Sequence, residues 1–126
     1  ATDTSDDTVQ NRTNCEGQNS SLGFYKLANT GNVNLNWTMQ LNESLDTSKI
    51  RHKVSINDTG YEAGCSSVDI PSNSTCSYVE TTSSIIVRGS LIPGATQMAW
   101  AWADFTSAYP SDAASRNITH TSVQGP

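Results

Sequence analysis

The chain has 126 residues, room for one ordinary domain and not two. Apolar residues reach 35% and charged residues 15%, against about 45–50% and about 25% in typical globular domains. A net charge of −5 with only seven Lys and Arg excludes nucleic acid as a partner and disfavours anionic membranes, since both rest on clustered cations.

Residues 1–21 form a polar leader with Asp3, Asp6 and Asp7, and Val9 as its one sizeable aliphatic. Such a stretch buries too little to offset its ordering entropy, so it is expected to be extended or disordered unless a partner holds it. The folded domain is expected over residues 22–126. Strand-like material begins with Leu22, Phe24, Tyr25 and Leu27. Asn29-Thr30-Gly31-Asn32 then has turn chemistry, with Gly31 free to take positive φ. From Asn32 to Leu41 the alternation is strict: Val33, Leu35, Trp37, Met39 and Leu41 on one face, amides and a hydroxyl on the other. Period two of that length is a strand with one face in the core.

A third strand carries Ile50, His52, Val54 and Ile56 inward, with Arg51, Lys53, Ser55 and Asn57 expected to face water. Cys76 to Thr82 and Ser84 to Arg88 read in part as the next two strands. Pro93-Gly94 marks a turn, Gln97 to Phe105 a further strand, and Asn117 to Val123 the last. No window of twelve residues has helical periodicity with caps. The expected class is all-β, a sandwich of about seven strands.

Seven of the eleven asparagines open an Asn-x-Ser/Thr triplet: Asn11, Asn19, Asn36, Asn42, Asn57, Asn73 and Asn117. Ser and Thr together number 33 of 126, so chance would give roughly three such triplets. The excess points to N-linked glycans on an exported protein, with sugars and hydroxyls carrying solubility in place of charge. Asn36 and Asn57 have the parity of the solvent face of their strands. No apolar run of about 18 residues occurs, so no membrane-spanning helix is expected. The excess of triplets places the protein outside the cell, and on that ground Ala1 reads as the start of a mature chain after signal-peptide removal.

Cys65 and Cys76 flank a Ser/Pro/Asn-rich loop, and closing it as a disulfide would contribute roughly 2–3 kcal/mol. Cys15 is then left over, and its pairing with either of the others stays open. Met98, Trp100 and Trp102 share one face of their strand, while Ala99, Ala101, Ala103 and Phe105 share the other. An apolar residue on both faces means a central strand or one pressed against something. The three larger side chains are core filler or a contact surface for carbohydrate or another copy. His52 and His120, the two histidines, have no zinc-type spacing with cysteine, so no metal or other cofactor is expected. His52 is expected half-buried and hydrogen-bonded, and Asp104 to serve a turn. No nucleophile elbow or phosphate loop occurs, and the chain is expected not to be an enzyme.

Phe24-Tyr25-Lys26-Leu27-Ala28-Asn29-Thr30-Gly31-Asn32-Val33, and Pro93-Gly94 followed by Trp100 to Phe105, resemble the strand–turn–strand sequences of immunoglobulin-like modules in archaeal cell-surface proteins. The resemblance covers roughly residues 22–123. It implies an immunoglobulin-like sandwich in a pilus, thread or archaellum-type filament, coated with N-linked glycan. The chain departs from type IV pilins and archaellins in lacking their long apolar N-terminal helix. Self-association is then expected through a terminal strand lent to the next subunit, either around Leu22 to Leu27 or from Ile118 to Val123. The expected function is a structural subunit of an extracellular filament or surface coat. The alternative is an adhesion or glycan-binding module using Trp37, Trp100 or Trp102.

Overall fold

The computed structural model describes residues 12–14, 22–47, 50–57, 67–73, 76–104 and 115–125. In chain order the elements are β1 (Arg12–Asn14), β2 (Tyr25–Ala28), β3 (Leu35–Leu41), β4 (Arg51–Ser55), α1 (Ile70–Asn73), β5 (Cys76–Tyr78), β6 (Ile85–Leu91), β7 (Thr96–Asp104) and β8 (Ile118–Gln124). The protein is all-β, apart from the single helical turn of α1. The alternating segments of the sequence become β2, β3, β4, β6, β7 and β8, each within a few residues of its expected limits.

Two antiparallel sheets are formed. In the first, β7 pairs with β4 and β4 with β5. The opposite edge of β7 holds two short strands in succession, β1 against residues 102–104 and β2 against residues 96–99. The second sheet has the order β6-β3-β8. Between the sheets lie Trp37, Met39 and Leu41 of β3 and Ile85 and Val87 of β6, with Val54 of β4 and Ala99 of β7 from the other sheet. Tyr25 and Leu27 of β2 and Ile118 of β8 pack against this cluster. The inward parity expected for Trp37, Met39 and Leu41 holds; Val33 lies before β3 and is exposed.

The pairings β3 with β6 and β4 with β7 are those of strands B–E and C–F in an immunoglobulin sandwich, and β5 follows as an extra strand beside β4. The terminal strands differ. In that fold the first strand joins the B–E sheet and the last joins C–F; here β2 joins β7 and β8 joins β3. First and last strands have taken each other's places.

Part of the leader is thus ordered, because β1 finds a backbone partner within the chain: Arg12, Thr13 and Asn14 oppose Asp104, Ala103 and Trp102. β6 is irregular opposite β3, with register shifts between Leu35 and Trp37 and between Trp37 and Thr38. The first leaves Gly89 and Ser90 opposite Asn36 alone, a bulge in which Ser90 takes a φ of 52°. Asn36 Oδ1 accepts from the Ser90 amide at 3.0 Å and holds that strained turn. Asp69 Oδ1 accepts from the Ile86 amide at 2.8 Å, tying the segment before α1 to β6.

The two turns have different origins. At Pro93-Gly94, Gly94 has a φ of 83° and the Ala95 amide donates to Ile92 O at 3.1 Å, as a Pro-Gly type II turn requires. At Asn29-Thr30-Gly31-Asn32 the expected positive φ at Gly31 is absent. The Asn29 side chain organises that turn. Its Oδ1 accepts from the Gly31 amide at 3.0 Å, and its Nδ2 donates to Val33 O and Leu91 O at 2.8 Å each. A buried amide with every polar atom used ties β2, β3 and β6 together.

The expectation that Lys53 and Ser55 face water fails, while Arg51 keeps about a third of its side chain, 34%, exposed. Lys53 and Ser55 are 0% exposed. Arg51 forms a two-point ion pair with Glu80, Nε to Oε2 at 2.8 Å and Nη2 to Oε1 at 2.6 Å, and its guanidinium lies 3.6 Å from the Tyr78 ring centroid. Lys53 Nζ lies 5.6 Å from the same centroid. Alternation assigns the side of the sheet a residue takes, and it is silent on whether that side is covered.

Candidate functional site

The residues singled out by the sequence fall into three groups: the glycan acceptors, the aromatic strand β7, and the histidines. Asn42, Asn57 and Asn117 are exposed. Asn57 stands just beyond β4, at one end of the sandwich. Asn42 and Asn117 stand together at the other, where the Asn42 amide donates to Asn117 O at 3.0 Å and the Asn117 amide to Asn42 Oδ1 at 2.9 Å. The Arg116 guanidinium crosses the same corner and donates to Glu43 O and Ser44 O at 3.0–3.3 Å. Asn36 is on the outer face as expected, yet it is partly buried. Its oxygen belongs to the β6 bulge, and a Cβ on Gly125 would lie 2.4 Å from that oxygen. Asn73 closes α1; Asn11 and Asn19 lie outside the described residues. Cys76 is disulfide-bonded, and its partner lies outside the described residues, as do Cys15 and Cys65.

Met98, Trp100 and Trp102 do share the outer face of β7, but they are not one contact surface. Trp102 is 1% exposed within the single chain, and Trp37 is likewise 1% exposed in the core. Trp100 and Met98 are half-buried. Of the three tryptophans, only Trp100 keeps accessible surface for a partner, and of the two roles expected for Trp102 its burial fits that of filler. A one-strand pattern cannot reveal that burial.

The edge of β7 shows why β2 needs the residues it has. Ala95 and Ala99 turn their carbonyls to β2, accepting from the Asn29 amide at 2.9 Å and the Phe24 amide at 2.8 Å. Gly23 approaches so closely that a Cβ there would stand 2.8 Å from Met98 Cβ and 2.9 Å from Ala99 O, inside normal contact. Tyr25 then carries its ring inward, edge-on to Phe24 with centroids 4.8 Å apart.

Tyr25 also joins the two histidines, a grouping that no spacing in the sequence announces. Its hydroxyl is 3.0 Å from His52 Nε2, and His52 Nδ1 is 3.0 Å from Val79 O. A carbonyl can only accept, so Nδ1 carries the proton and Nε2 accepts from Tyr25. Burial pushes the His52 pKa below its ordinary value, consistent with this neutral tautomer. His120, on β8, has its ring centroid 5.2 Å from that of Tyr25, and its Nδ1 accepts from Trp37 Nε1 at 3.2 Å. Burial lowers its pKa as well. The arrangement seats β2 and β8 against the core.

Among the described residues no group of three or more potential metal ligands comes together. No helix among them is long and apolar enough to cross a membrane. No family model matches the chain, and neither the curated proteins nor the solved structures provide a match.

Proposed function

We propose that this chain is a structural subunit of an extracellular, N-glycosylated filament or surface coat, in which an N-terminal strand of one copy completes the sheet of the next. The observation that carries this reading is the place of β1 and β2. Both come from the start of the chain, and both lie along one edge of β7, in the position that the last strand of an immunoglobulin sandwich would fill.

A strand at that edge makes the same ladder whether it belongs to its own chain or to a neighbour. Withdrawing it would uncover the core that Tyr25 and Leu27 close, so an empty edge has a strong drive to be refilled. Of the two segments expected to be lent, this geometry favours the one around Leu22 to Leu27 over the tail. The exposed acceptors Asn42, Asn57 and Asn117 are placed to carry glycan away from that edge. Under this reading the chain is a module of the archaeal surface-filament type that its turn sequences resemble, and it acts outside the cell.

Electron microscopy of the native material should show filaments, and intact-mass measurement should exceed the polypeptide mass by that of several glycans. Dispersed monomers at high concentration, with the mass of the bare polypeptide, would refute the proposal.

A further inference from the structure

We infer that the free edge of β8 is a second self-association surface, pairing antiparallel with β8 of another copy to join two three-stranded sheets into one. The inference is independent of strand transfer at β7, since among the described residues β8 keeps an unpaired edge in either case.

Open sheet edges template further pairing, and natural proteins guard them with short strands, bulges, Lys, Pro or a covering segment. The other edges here are guarded in those ways. β5 has three residues and β1 three. β2 has four and carries Lys26. β6 is bulged twice and tied at Ile86 to Asp69. Among the described residues β8 has none of these devices. It runs seven residues, Ile118-Thr-His-Thr-Ser-Val-Gln124, without charge, Pro or Gly, in unbroken register with β3. Among the described residues nothing pairs with its other side, and every residue from Thr119 to Gln124 is exposed.

The hydrogen bonds at its two ends fix which groups point outward. Asn117 O accepts from the Asn42 amide and the Gly125 amide donates to Asn34 O, so the odd-numbered residues turn their backbone groups toward β3. Ile118, His120, Ser122 and Gln124 therefore turn theirs to the free edge. A two-fold pairing that uses all four sets Ile118 opposite Gln124 and His120 opposite Ser122, each pair exchanging two backbone bonds. Its centre is Thr121 facing Thr121 as a non-hydrogen-bonded pair, in which side chains approach most closely and threonines pair well. Thr119 then faces Val123, and Asn117 faces Gly125, which presents no side chain to a glycan there. The occupant is a second copy because the strand is self-complementary and uncharged. Two chains of net charge −5 can meet along it with no like charges opposed.

Sedimentation velocity on the purified full chain over a concentration series tests this. The wild type should show a reversible monomer–dimer equilibrium. Ser122→Pro removes an amide that points away from β3, leaving the intramolecular ladder whole, and should weaken association at least about tenfold. Thr121→Lys opposes two cations at the centre and should do the same, while mixing it with Thr121→Glu should restore a one-to-one dimer. A wild type that stays monomeric to about millimolar concentration overturns the inference. So does association that survives both variants, or a charge-matched mixture that fails to pair. If Ser122→Pro loses its fold by circular dichroism, the Thr121 pair decides alone. Filaments that persist in Thr121→Lys while this dimer is lost separate the two surfaces.

Discussion

Asn29 shows how much one side chain can organise. It lies in no glycan triplet, and its sequence context suggests only a turn, yet it is 1% exposed and its side chain bonds to three backbone groups, at Gly31, Val33 and Leu91. Replacing it by Ala leaves Val33 O and Leu91 O without their buried donor, and an orphaned group costs about 1–3 kcal/mol. Asn29→Ala should thus lose about 2–4 kcal/mol in denaturant unfolding. The histidines give the fold a pH dependence of definite sign. Both have folded-state pKa values below the ordinary value of about 6.5, so the unfolded chain takes up protons first as pH falls. Stability from this source is fully present above about pH 6.5 and declines below it. A protonated His120 also has no lone pair for the Trp37 Nε1–H. Denaturation midpoints measured from pH 7.5 to 5 should fall with acidification, and the fall should be shallower in His120→Gln.

Among the elements, β2 is the least self-sufficient. Four residues cannot hold an edge by their ladder alone, and its attachment depends on the close approach at Gly23. Gly23→Val forces a branched side chain against Met98 Cβ and Ala99 O, a clash worth about 1–3 kcal/mol. Limited proteolysis should then cut near the N-terminal segment well before the rest, and any filament should form more slowly. The long strands were legible because alternation over seven or more residues has no other reading, as in β3. β1 was not: Arg12-Thr-Asn14 has no apolar pattern, and it is a strand only because β7 offers a partner. Lys53 was misplaced for a related reason, since the covering of an outer face depends on segments distant in the chain. The bulge held by Asn36 was invisible because its cause lies on β6, while the local triplet reads as a glycan acceptor.

For the molecule as a whole, composition and turn spacing reach the two-sheet class but not the exchange of the terminal strands, which is decided by pairings between residues about seventy to eighty apart, such as Gly23 with Met98 and Trp37 with His120. That exchange bears on how the chain carries load. β1 begins opposite Asp104, at the end of the sandwich where Arg51 also lies, and β8 finishes opposite Leu35, at the other end. Tension drawn through the two ends pulls β1 and β2 along β7 in one direction and β8 along β3 in the other. The backbone bonds of both edges are then loaded side by side, in shear, and must yield together instead of opening one after another like a zip. A strand order that looks arbitrary on a topology diagram is thus one suited to a link in a rope.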